Sequence, residues 1–110
     1  MKVKLDFADK FIVDLKGKKI KGPEGEGDFS YAEAASIMLT GQKTSDAVKA
    51  FSIAQDLMKD GKVELDDSDA TFFETHLKSQ TSFHDLVVGQ VLAEFNRAKV
   101  RAADADAKKS

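Results

Sequence analysis

Residues 44–69, TSDAVKAFSIAQDLMKDGKVELDDSD, decide how the rest of the chain is read. The run divides into an amphipathic helix, a glycine stop, a short extended link and the capped start of another helix. Ala47, Ala50, Phe51, Ala54, Leu57 and Met58 recur at helical spacing and predict the buried face. Lys49, Ser52, Gln55, Asp56 and Lys59 fall mostly between them, on the wet side. Thr44 or Ser45 is expected to cap the amino end, because either side-chain oxygen accepts an orphan backbone N–H. Gly61 stands where the helix calls for a left-handed residue, a conformation glycine adopts without a Cβ clash. Lys62-Val63-Glu64-Leu65 then alternates, with Val63 and Leu65 aimed at a core. Asp66, with Asp69 three residues on, makes a capping-box-like helix start.

Towards the carboxyl end, the spacing predicts a helix over residues 67–79 with Ala70, Phe73 and Leu77 inward. Phe72 lies off that stripe and either widens it or is exposed. Residues 79–82 break the pattern, and Ser82 is expected to cap the last helix with Asp85 at its third position. Phe83, Leu86, Val87, Val88, Val91, Leu92 and Phe95 give that helix the widest apolar stripe, so the others are expected to pack around it. Gly89 inside it costs about 1 kcal/mol relative to alanine and is expected to mark close packing against another backbone. The pattern thins after Asn96. Residues 1–100 are read as one globular domain, and 101–110, RAADADAKKS, as a frayed or disordered tail.

Towards the amino end, Ser30-Tyr31-Ala32-Glu33 is a capping box with Phe29 as its staple. Its helix runs through Ala34, Ala35 and Met38 to Gly41, and the alanines admit a close neighbour. Residues 22–27, GPEGEG, form the clearest loop. Their glycines fit neither phosphate-binding spacing, and Glu24 and Glu26 would repel a phosphate. Residues 2–21 alternate like β structure: Val3, Leu5 and Phe7 in one run, Phe11, Val13 and Leu15 in a second. Lys16-Gly17-Lys18 forms a turn, and Lys19-Ile20-Lys21 a return. The expected fold is therefore α+β: an amino-terminal β-hairpin or three short strands, then four helices with the last one central. Alternatively, residues 2–8 are merely extended, leaving a single hairpin.

With no cysteine, disulfides, thiol nucleophiles and cysteine-based metal sites are excluded. No apolar run approaches the ~18–20 residues of a membrane span, and the amino end has no signal-peptide core. The expected location is the cytoplasm. The net charge of −2 conceals two charged regions. Residues 56–74 carry seven acids against Lys59 and Lys62. Residues 2–21 carry seven lysines against Asp6, Asp9 and Asp14. Fields of that kind steer partners or simply maintain solubility. Lys16, Lys18, Lys19, Lys21, Asp66, Asp67 and Asp69 are the candidate contact residues.

Candidate chemistry is thin. Counting from Asp56, Asp60, Gly61, Glu64 and Asp67 resemble a calcium loop. Met58 at the third position cannot ligate, however, and Leu57 and Met58 continue the helical stripe, so no ion is expected there. His76 and His84 fall on different predicted helices and are expected to be surface or half-buried. Neither has a nucleophile placed beside it. No catalytic residue, cofactor or metal is assigned. A nucleic-acid-binding groove wants arginine and exposed aromatics, whereas Arg97 and Arg101 both lie near the tail.

Three segments carry a resemblance: LKGKKIKGPEGE at 15–26, KVELDDSDATFF at 62–73 and LVVGQVLAEF at 86–95. In this order they resemble a group of small proteins of tailed phages and prophages. Asp66-Asp67-Ser68-Asp69 departs from that group's usual serine-plus-glutamate helix start. The resemblance implies a phage or prophage origin in a bacterial host, with virion association as one location, and transfers no activity. The expected role is a non-enzymatic accessory protein acting through protein–protein contacts, in virion assembly or in modulating a host factor, with self-association open. The alternative is a nucleic-acid-associated regulator using the lysine face.

Overall fold

Val3, Leu5 and Phe7 alternate with Lys4 and Asp6, and their side chains are buried. The computed structural model describes residues 2–22, 27–41, 46–79 and 83–109. It is α+β: β1 (Val3–Asp6), α1 (Tyr31–Thr40), α2 (Ala47–Asp60), β2 (Lys62–Leu65), α3 (Asp67–Ser79) and α4 (Asp85–Lys109). The two strands form one antiparallel sheet in which Val3 faces Leu65 and Asp6 faces Lys62. β1 thus pairs with a distant segment and not with its neighbour, the segment read as a link being the partner strand, while the hairpin expected about residues 16–18 is present as an isolated antiparallel bridge, Val13 to Lys19. Leu65, fully buried, extends the apolar face begun by Val3 and Leu5, which a neighbouring run rich in lysine could not do.

Residues 11–21 and 28–30 form isolated bridges and no regular strand. Phe11 faces Ser30, Val13 faces Lys19, and Lys21 faces Asp28. The turn at Lys16-Gly17-Lys18 is present, with Gly17 at a positive φ of 86°. The register is the opposite of the expected one. Ile12 is buried, whereas Leu15 is 95% exposed. A one-residue shift exchanges the two faces of an extended run, and the Ile12 amide bond to Phe29 O (2.8 Å) sets it here.

The helices begin and end where local chemistry directs. Ser30 caps α1, accepting the Glu33 amide at 3.0 Å. Asp46 caps α2, accepting the Lys49 amide at 3.0 Å. The expected caps Thr44, Ser45 and Ser82 lie outside the described residues. α4 starts later than a Ser82 cap implies, with the Val87 and Val88 amides both donating to His84 O. It runs on to Lys109 through the stretch read as a tail, and Ala98 and Ala102 beyond the thinning pattern are buried.

α1 and α4 share the centre of the fold. α1 packs against α2, α3 and α4, whereas α4 lies mainly on β1, α1 and α3. Six of the ten α1 residues are buried, four of them as small as Ala32, Ala34, Ala35 and Ser36. Small side chains let three helices approach one, which a wide stripe of valine and leucine does not. The Ser36 hydroxyl donates to Ala54 O at 3.2 Å and ties α1 to α2. Phe7 joins the layers: its ring meets Tyr31 edge-on at 5.9 Å and Phe73 at 6.5 Å, and Phe73 stacks on Phe95 at 5.2 Å.

Gly61 closes α2 in a left-handed turn (φ 71°), donating to Leu57 O. A Cβ there would sit 2.9 Å from the Ala8 Cα. Gly89 is the reverse case: it is exposed, and a Cβ would meet nothing within 4 Å, so the expected close backbone packing is absent. Gly61→Ala should therefore lower stability by more than the roughly 1–2 kcal/mol of a left-handed residue alone, and Gly89→Ala should raise it by about 0.5–1 kcal/mol. Urea denaturation of the two variants tests both signs.

Candidate functional site

Gln90 and Glu94 lie one turn apart on α4 and face the amino-terminal segment. The Gln90 amide acts as a strand partner for Val13, accepting its N–H at 3.0 Å and donating to its carbonyl at 2.7 Å. Glu94 is 5% exposed. Its carboxylate accepts from Lys10 Nζ at 2.6 Å and Arg97 Nε at 2.9 Å, with Arg101 at 3.6 Å. Lys10 also donates to Asp6 O at 2.8 Å. Burial pushes the Glu94 pKa up, but the hydrogen bonds from Lys10 and Arg97, with their charges, outweigh it and hold the carboxyl below its ordinary value. Lys10 is consequently a half-buried structural cation, not the solvent-facing lysine of the expected hairpin. This cluster holds charge in place.

His76 is buried, contrary to expectation. Its Nε2 lies 2.9 Å from Met38 O, and its ring stacks on Phe72 with centroids 6.0 Å apart. The off-stripe Phe72 thereby widens the inner face of α3. His84 is exposed just before α4. Asp56 is helical and Gly61 is a helix terminus, so the calcium-like span is helix, turn and strand in succession. Among the described residues, no group of three or more histidine or acidic side chains is placed to hold a metal ion.

The predicted contact residues divide into two places. Asp14 builds the lysine turn, its carboxylate accepting the Lys16 amide at 2.8 Å and the Lys18 amide at 3.0 Å. Lys16, Lys18 and Lys21 are exposed there. Lys19 lies 4.5 Å over the Phe11 ring, covering that aromatic face, and 3.8 Å from Asp28. On the acidic side, Asp66 caps α3 through the Asp69 amide (2.8 Å), and Asp69 pairs with Lys49 at 3.1 Å. The hydrogen bond to Asp69 raises the Lys49 pKa above the usual lysine value. Asp67 is exposed in the first turn. A groove of about 380 Å³ between α2 and β2 brings Asp46, Asp56, Glu64 and Asp69 around Lys49, without Asp66 or Asp67.

Two features were not foreseen. On α2 the buried face is Ala50, Ile53, Ala54 and Leu57, while Phe51 and Met58, expected inside, are each 58% exposed beside Val48 at 79%. The signal is present in the spacing: residues 48, 51, 55 and 58 make a second helical row next to 50, 53, 54 and 57. The other feature is basic. Arg97 and Arg101, dismissed as tail arginines, stand on the face that carries Lys10, and Arg101 also lines a groove with Lys2 and Lys4.

Comparison with protein-family models, curated proteins and solved structures finds no match. Among the described residues, no helix is long and apolar enough to cross a membrane.

The Glu94 cluster has a pH signature. A carboxyl whose folded pKa is depressed adds stability above its unfolded value of about 4.3 and loses it as pH falls through the folded value. Glu94→Gln should cost about 1–3 kcal/mol near neutrality. The gap between variant and wild type should shrink below about pH 4. Urea denaturation across that range measures it; a gap independent of pH would show that Glu94 is not ionised in the folded protein.

Proposed function

We propose that this protein is a non-enzymatic accessory protein of phage or prophage origin that works by binding another protein, in virion assembly or in modulating a host factor. The observation that carries the reading is the apolar row on the outer side of α2. Val48, Phe51 and Met58 stand in solvent on a helix whose opposite face already fills the core. Exposed apolar side chains gathered on one face offer surface that a partner can bury. Phenylalanine and methionine suit that use, one as a rigid anchor and the other as an adaptable contact. The buried ionisable groups support the same reading, since Glu94 and His76 are both engaged inside the fold. The origin rests on the resemblance of three segments, residues 15–26, 62–73 and 86–95, to small proteins of tailed phages and prophages.

The test is a surface variant that leaves the core alone. Phe51→Glu with Met58→Glu should change stability by no more than about 1 kcal/mol. In affinity capture from lysate of the expressing cells, wild type should retain a defined protein that the double variant loses. Identical capture by both, or capture abolished by nuclease, would defeat the reading, the latter in favour of nucleic acid.

A further inference from the structure

A groove of about 520 Å³ runs between β1 and the carboxyl-terminal turns of α4. Ala98, Ala102 and Ala105 form its floor. Their spacing of four and three residues places them on one helix face, and none reaches beyond Cβ, so the space above them stays open. Lys2 and Lys4 form one wall, from the solvent-facing side of β1. Arg101 overhangs the other, and Glu64 and Asp106 complete the lining.

The cations of this groove are unequally engaged. Lys2 pairs with Glu64 at 3.2 Å. Lys4 has no ion-pair partner among the described residues. Arg101 approaches Glu94 only at 3.6 Å, and that carboxylate is already held more closely by Lys10 and Arg97. Two cations on opposite walls, above an apolar floor, thus retain hydrogen-bonding capacity. A guanidinium in that position takes a carboxylate with two parallel N–H bonds.

We propose that this groove binds an extended acidic peptide segment, with its carboxylates on Lys4 and Arg101 and its aliphatic stems along the alanine floor. The volume lies within the range of ligand-binding clefts. The lining holds no aromatic ring on which a base could stack. These features favour a peptide over nucleic acid. The site is separate from the α2 row, so it stands or fails independently of that surface.

Fluorescence anisotropy with a fluorescein-labelled heptapeptide of alternating glutamate and leucine tests it, using the full chain. Binding should be saturable, should weaken with added salt, and should exceed that of the glutamine–leucine counterpart. Lys4→Glu with Arg101→Glu should weaken it at least about tenfold. Ala105→Leu, which fills the floor without altering charge, should also weaken it while the thermal melt stays near wild type. Lys16→Glu with Lys18→Glu, on the remote turn, should leave it unchanged. Equal binding of the two peptides, indifference to both groove variants, or equal loss from the remote pair would overturn the proposal. So would tighter binding of a labelled twelve-nucleotide single strand that the same groove variants abolish.

Discussion

The Phe7 amide donates to Gly61 O at 2.7 Å, at the residue where the chain leaves α2 and enters β2. Much of the architecture depends on that junction. Gly61 takes a left-handed conformation and lies against the backbone of Ala8. No other residue type satisfies both demands, because a Cβ is disfavoured by the backbone angle and obstructed by the neighbour. The junction aligns β2 with β1 and fixes where α2 ends. It also holds the Phe7 ring among Tyr31 and Phe73. The pairing closes a loop of more than fifty residues, whose entropic cost grows only logarithmically with length. Burial of Val3, Leu5, Phe7 and Leu65 offsets it.

A second constraint operates at the other end of the chain. Glu94 is a charge on the inner side of an apolar helix, a position that is unfavourable unless the charge is paired and hydrogen-bonded. Lys10 and Arg97 meet that requirement at short range. Together with Gln90 on Val13, they bind the irregular amino-terminal segment to α4 through polar bonds, where its side chains offer little apolar surface. Ile12 is the exception that anchors the segment in the core. Because Glu94 draws Arg97 and Arg101 towards the body, the basic surface belongs to α4 and β1 as well as to the lysine turn.

The outside of the molecule then has distinct regions: an apolar row on α2, an acid-rimmed groove around Lys49, an exposed lysine turn and a basic groove floored by alanine. The regions differ in what they would offer a partner: apolar surface in the first, charge in the others.

Local features were legible in the sequence alone. The Ser30 cap of α1, the Gly61 stop, the extent of α3 and its inward residues Ala70, Phe73 and Leu77 all follow from interactions within one or two turns, which a window of sequence contains. The α+β class follows from the same periodicities. Partnership was not legible. Whether β1 pairs with a neighbour or with residues 62–65, whether Ile12 or Leu15 turns inward, and whether Phe51 is core or surface depend on which distant segment arrives. Glu94 was passed over because its cations come from Lys10, 84 residues away, and from its own helix. The exposed faces lay beyond reach for the same reason: a surface is what remains after packing is complete, so only the tertiary structure could decide which side chains compose it.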